Sequence, residues 1–385
     1  MEALSPAPRL RLLLDHFAAI EDDRAAWRVM YPLQEVLFLV VCASICSCDD
    51  YEDIVDWGKA RLDFLRRHLE FHWGIPSADW LRTLMNRVDP DLFSACFRSW
   101  VAACWPDRPD LVAIDGKTSR RSHDRKAGKT PLHLVSAFAT NTRLVLAQAA
   151  AADKGGEIAA IEDLLDQLSG SGSLEGALVT IDAVACNAGI AGKIIGHGAN
   201  YLLAVKANQP SLHGEVERYF ADAPHSVLDC DVDVDKDHGR IEDRRVFVSR
   251  EVDWLHGDRR FPGEHRFPKA AAIVKVETRT ELRDRCRYET RFFITSRLMT
   301  AKELAQAVRH HWRIENALHW VLDVTFREDL SRLRKGHGAR NMAVVRHFAL
   351  NLVRQAQDTR SLKLRRKHAD RNPEYLNQIL QTGTR

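Results

Sequence analysis

Two short runs of nearly the same spelling constrain this 385-residue chain more than any other feature: LVAID at 111–115 and LVTID at 178–182. Each is apolar, rich in β-branched residues and closed by an aspartate, the pattern of a strand buried on both faces. Between them, LHLVSAFAT (132–140) and RLVLAQAAA (143–151) flank an Asn141-Thr142 turn and read as a hairpin, and EIAAIEDLLDQL (157–168) reads as an amphipathic helix. Beyond the second run, NAGIAGKIIGHG predicts a helix closed by glycine and YLLAVK (201–206) a further strand. Three strands, helix, strand, helix, strand is a mixed α/β arrangement with helices covering a sheet. A carboxylate at the carboxyl end of a core strand points into the crevice where open α/β sheets bind ligands. A single one can equally start a turn, as Asp115-Gly116 could. Two, on strands separated by a helix, weaken that second reading.

The flanks follow other periods. Residues 1–105 repeat at helical spacing, with an aspartate before several apolar runs as an N-cap. WPDRPD (105–110) carries two prolines and marks a junction. From 207 to about 290 apolar and polar residues alternate, which predicts antiparallel strands inserted into the α/β unit. RFFITS (291–296) fits either the insertion or the main sheet. A helix follows from about Ala301, then a basic segment. The expected divisions are a helical region at 1–105, the first part of the α/β core at 106–206, the insertion at 207–295, the rest of the core at 296–357 and a basic tail at 358–385.

Composition narrows the function. The longest apolar run, Val36–Cys46, is about half a membrane span and reads as a buried helix. The opening MEALSPAPRLRLLLDHF has no small-residue cleavage site, so neither a secretory leader nor a membrane partner is expected and the cytoplasm is the expected compartment. The eight cysteines form no CxxC pair and sit mostly in apolar stretches, as free thiols in a reducing environment do. Net charge is only +3, yet Ser331–Arg371 holds twelve Lys and Arg against two Asp. A basic end on a near-neutral body suggests a polyanion, nucleic acid first.

HHWRIENALHWVLD supplies a third acidic candidate. It sets His311, Glu315 and His319 at i, i+4 and i+8 of one helix face, among apolar Ile314, Leu318 and Val321. Glutamate on a largely buried helix is costly unless paired or bound to a cation. Asp115, Asp182 and Glu315 would make an oxygen-only site suited to Mg²⁺ or Mn²⁺. Two such ions about 4 Å apart can activate a water or hydroxyl and stabilise the leaving oxygen of a phosphodiester. Zinc held by His311, Glu315 and His319 is rejected, because the outer two stand about 12 Å apart along the axis.

The blocks AIDGKTSRRSHD, VTIDAVACN, HGRIE, HHWRIENALHWVLDVTFRED and SRLRKGHGARNMAVVRHFALNLVR resemble the H-repeat-associated insertion-sequence transposases, DDE enzymes with a ribonuclease-H-like core. The resemblance runs from roughly YPLQEVLFLV to FALNLVR. It implies that Asp115, Asp182 and Glu315 form the metal-binding triad, that a β-strand insertion separates the second Asp from the Glu, and that the helical N-terminal region helps recognise the element's ends. It further implies double-stranded DNA as partner, two Mg²⁺ or Mn²⁺ ions and a homodimer in the synaptic complex. A related signature of Tyr, Arg, Glu and Lys keeps only Glu315, since Val308, His311 and Leu322 occupy the other positions. Lys117, Arg120, Arg121, Arg313, Arg332, Arg334 and Lys335, with His311, are candidate phosphate contacts beside the triad. Lys206 and Gln209 in KANQ also resemble family residues. Trp312 and Trp320 read as core, with base stacking the other option. A stand-alone nuclease on this fold and a non-cutting descendant of a transposase are the alternatives.

Overall fold

The structure, a computed structural model, describes residues 9–123, 128, 130–151, 154–237, 240–256, 266–282 and 284–381. The N-terminal region is helical: α1 (Arg9–Ala18), α2 (Leu33–Ile45), α3 (Tyr51–Ala60), α4 (Leu62–Leu65), α5 (Ala78–Arg87) and α6 (Pro90–Cys104). Local chemistry sets the starts. Asp50, Ser77 and Asp89 each accept a backbone N–H of the first turn of α3, α5 and α6, and Pro90 stands where a missing N–H costs nothing. The apolar run of α2 is buried almost end to end.

The chain then lays down β1 (Leu111–Ser119), β2 (Leu132–Ala139), β3 (Leu144–Ala151), α7 (Glu157–Gly170), β4 (Leu178–Ile181), α8 (Ala188–Gly196) and β5 (Asn200–Val205). After α9 (Pro210–Asp222) come β6 (Asp229–Asp237), β7 (Arg240–Ser249), α10 (Asp253–His256), β8 (Ala272–Glu281) and β9 (Cys286–Thr295). Among the described residues, these nine strands join one sheet in the order β3-β2-β1-β4-β5-β9-β8-β7-β6. β1–β3 are antiparallel, and β4 and β5 run parallel to β1. That order and direction are the ribonuclease-H-like core the resemblance implied. RFFITS lies mostly in β9, which pairs with β5 through Leu202↔Thr295 to Val205↔Phe292 and with β8 along its whole length. It therefore belongs to both candidates at once, and the alternating segment extends the core sheet.

Helices close both faces. One face of β7, β8 and β9 (Val246, Val276, Phe293) packs on Leu304 and Val308 of α11 (Ala301–His311), whose start is a Thr300–Glu303 capping box. A π-helical turn at Ile314–His319 continues α11 into α12 (Trp320–Val324). The opposite face receives α7 and α13 (Gly338–Arg354). α13 is buried along most of its length and binds the helical region to the sheet. Phe348 meets Phe17, Phe93 and Phe97, Asn341 donates to the carbonyls of Met85 and Val88, and Asn351 exchanges two hydrogen bonds with the Val145 backbone of β3. Deleting a ring so enclosed costs about 3–5 kcal/mol.

The expected tail is two helices, α14 (Leu362–Arg371) and α15 (Pro373–Gln381), packed on α1, α2 and α13. Arg366 is buried and donates to the carbonyls of Ser44 and Thr325, while Leu376, Ile379 and Leu380 fill the core. A segment whose charge suggested a polyanion partner is fastened to the body by its apolar face and by Arg366. Among the described residues no helix is long and apolar enough to cross a membrane.

Candidate active site

Parallel pairing of β1 with β4 places Ile114 opposite Ile181, so the next residue on each strand is an aspartate at the same level. Neighbouring strands stand about 4.8 Å apart, which brings the Asp115 and Asp182 backbones together however distant they are in sequence. β4 ends there, but β1 continues to Ser119, so Asp115-Gly116 is mid-strand and starts no turn. Gly116 answers a close approach: a Cβ there would lie 2.6 Å from a Glu157 oxygen and 2.7 Å from His133 Nε2. That buried pair, with Thr118 Oγ1 2.8 Å from His133 Nδ1, braces the strand just beyond Asp115.

The helix crossing this end of the sheet brings Glu315 to Asp115 and adds His319. His319 Nδ1 is 3.3 Å from Glu315 and 3.7 Å from Asp115, with the imidazole buried and Glu315 half exposed. One donor atom from each of Asp115, Glu315 and His319 lie within 4.8 Å of one another. Asp182, Glu315 and Asp115 line one cleft of about 550 Å³ with Lys206, His311, Arg291 and Trp312. On the far wall Lys206 Nζ is 3.1 Å from Asp182, while Asn208 and Gln209 donate to the carbonyls of Ala183 and Cys186. KANQ thus pins the loop that follows Asp182, a role its sequence alone did not disclose.

The three carboxyls carry different charge. Burial, with Glu315 beside it and His319 opposing, pushes Asp115 up to about 7. Glu315 is held below its ordinary value, chiefly by the His319 hydrogen bond. Burial works against Asp182, yet the Ala183 N–H and Lys206 keep it below the usual carboxylate range. Two carboxyls and an imidazole converging at one point are a donor set that suits a divalent ion. Two ligands about 2.1–2.3 Å from one ion stand up to roughly 4.6 Å apart, close to the span of the Asp115, Glu315 and His319 donors. The residues fit such an ion. The imidazole nitrogen departs from the oxygen-only expectation, and its sequence signal was the i, i+4 spacing from Glu315.

The basic candidates divide. Lys117 points inward, with its ammonium 2.7 Å from Asp323, 3.0 Å from Glu328 and 3.7 Å from Asp329. His311 bonds Thr180 Oγ1 at 3.0 Å, and burial lowers its pKa to about 4, so it is neutral at pH 7. Arg313 donates to the Thr140 carbonyl. Arg120 and Arg121 are exposed, Arg334 donates to the Arg121 carbonyl, and Arg332 and Lys335 are exposed on the same connection. Trp312 and Trp320, expected in the core, are 50% and 58% exposed. Arg291 stands 5.6 Å over the Trp312 ring. In the HGRIE block, 238 and 239 lie outside the described residues.

Comparison with known proteins adds an independent line. Residues 14–101 match the family described as DDE_Tnp_1-associated, and residues 106–352 match the family described as Transposase DDE domain. The chain is 34% identical over 377 residues, 96% of it and 98% of the relative, to "H repeat-associated putative transposase YhhI" of Escherichia coli (strain K12). It is 36% identical over 379 residues, 96% of it and 95% of the relative, to "Putative transposase YncI" of Escherichia coli O157:H7. A piggyBac transposase synaptic complex with hairpin DNA aligns with 99% of this chain and 82% of that one at 11% identity, with a TM-score of 0.45.

Proposed function

The chain belongs to the DDE transposase family, and from that premise we propose that Asp115, Asp182 and Glu315 are the acidic triad with which it cuts DNA at the ends of an insertion sequence. The freed 3′ hydroxyl then attacks target DNA. The observation that carries this reading is that three carboxyls from β1, the end of β4 and the π-helical turn line one cleft.

Asp115, Glu315 and His319 would hold one Mg²⁺ or Mn²⁺, and Asp182 with Asp115 a second. When bound, such ions lower the pKa of a nucleophilic water or hydroxyl and neutralise charge on the leaving oxygen. The chain's own residues prepare the site. His133 and Glu157 brace β1 behind Asp115, and His319 keeps Glu315 ionised and aimed at Asp115. Lys206 neutralises Asp182 and stands in the cleft, where an approaching phosphate can take over its charge. Arg120, Arg121, Arg332, Arg334 and Lys335 would grip the backbone of double-stranded DNA next to the cut. The helical region 14–101 would read the element's ends. A homodimer is expected at work, because two ends must be joined.

The test is a cleavage and strand-transfer assay on DNA carrying the element's ends, with Mg²⁺. Asp182→Asn should lower both products about a thousandfold, the equivalent of about 4 kcal/mol, while DNA affinity stays within a few fold. Cleavage at the wild-type rate in that variant would remove Asp182 from the chemistry and sink the triad.

A further inference from the structure

Lys117 follows Asp115 by two residues on β1 and therefore shares its face of the strand. β4 stops opposite Ile114, so on that side β1 beyond this point faces the helix that carries Glu315. Asp323 lies eight residues after Glu315, roughly two turns along, through the π-helical turn and into α12. The corresponding step on β1 is about 6.7 Å, and the lysine's four-carbon stem covers the difference. Strand and helix thus meet at two rungs. The first is Asp115 with Glu315 and His319; the second is Lys117 with Asp323, at 2.7 Å.

The second rung is enclosed. Only 10% of the Lys117 side chain and 3% of Glu328 are exposed, and Glu328 lies 3.0 Å from Lys117 and 3.5 Å from Arg346 of α13. Asp329 completes the group from 3.7 Å and also meets Arg120. Lys117, Arg120 and Arg346 balance Asp323, Glu328 and Asp329. A lysine surrounded by three carboxylates offers no net attraction to phosphate. It does offer a fixed distance between the strand of Asp115, the helix of Glu315 and the long central helix α13.

We propose that Lys117 is a positioning residue, which sets the separation of Asp115 from Glu315 by tying β1 to Asp323 and Glu328, and that it makes no contact with DNA. The proposal rests on the triad reading above. Two titrations of the full-length protein separate the outcomes: binding of a random-sequence duplex against salt in EDTA, and Mn²⁺ binding followed by tryptophan fluorescence. Trp312 and Trp320 flank the Glu315–His319 turn and report it. Lys117→Met should leave the salt slope unchanged and raise the Mn²⁺ half-saturation about tenfold, with Lys117→Arg recovering most of the loss. A phosphate contact would instead lower the slope by about 0.9. A lowered slope, or an unchanged Mn²⁺ half-saturation, overturns the proposal. Should Lys117→Met not fold, Asp323→Asn loosens the same rung from the helix side and is judged by the same two readings. Asp115→Asn runs alongside. If that variant also binds Mn²⁺ as the wild type does, it is the triad that fails; if it loses binding while both rung variants keep it, only the role of Lys117 falls.

Discussion

Burial keeps the Asp115 carboxyl protonated up to about pH 7 when no cation is near. A carboxyl whose folded pKa lies above its unfolded value of about 3.9 stabilises the fold fully below that value. The contribution fades as pH rises through 7. At pH 8 in EDTA the wild type therefore holds a desolvated charge that Asp115→Asn does not. The variant should melt a few degrees higher there, and the gap should close toward pH 5. Mg²⁺ should raise the melting temperature of the wild type and not of the variant. A variant that melts lower than the wild type at pH 8 in EDTA contradicts the burial argument. At this scale Asp115 and Asp182 were legible because each closes an apolar run, and Glu315 because it stands among apolar neighbours on its helix. The surroundings of Lys117 and His311 were not legible, because charge type says nothing of direction: one meets three carboxylates and the other bonds Thr180.

Among the elements, the π-helical turn at Ile314–His319 has the most consequence. Such turns arise as single bulges in α-helices and gather at functional sites. Before it, Leu304 and Val308 face the sheet; after it, Val321, Leu322 and Phe326 enter the main core. One residue changes the helix's phase by about 100°. Deleting exposed Asn316 would restore regular geometry, so Glu315 or the residues beyond it must leave their present contacts. The expected outcome is a protein with wild-type circular dichroism and no cleavage of end DNA; retained cleavage would show that the turn is dispensable. Periodicity predicted a helix from 301 onward but could not reveal the turn, since an i→i+5 bond leaves no compositional trace. It also left RFFITS undecided, because a strand that pairs on both sides satisfies both readings.

For the whole molecule, the basic C-terminal segment is a fastening. Arg366 bridges the Ser44 and Thr325 carbonyls, and its guanidinium lies 4.0 Å over the Phe326 ring. Arg366→Ala should cost about 3–5 kcal/mol in denaturant unfolding, the range for breaking buried charged contacts. Its DNA salt slope should match the wild type's. Arg332→Ala, on the exposed connection, should do the reverse: little change in stability and a slope reduced by about 0.9. A lowered slope for Arg366→Ala would return the segment to DNA. A net charge summed along the chain could not make this distinction, because arginine stems pack as well as they solvate.

Local pattern was enough for the identity and order of most strands and helices, for the two aspartates that follow apolar runs and for the caps that start α3 and α6, since these depend on neighbours within a few residues; that β1 runs on past Asp115 was not. Which groups stand near which was a matter of how separate elements pack. The pairing of Ile114 with Ile181, the meeting of His319 with Asp115 and the enclosure of Lys117 and Arg366 arise from contacts across tens to hundreds of residues. Burial then sets the charge each group carries, and burial is a property of the assembled fold.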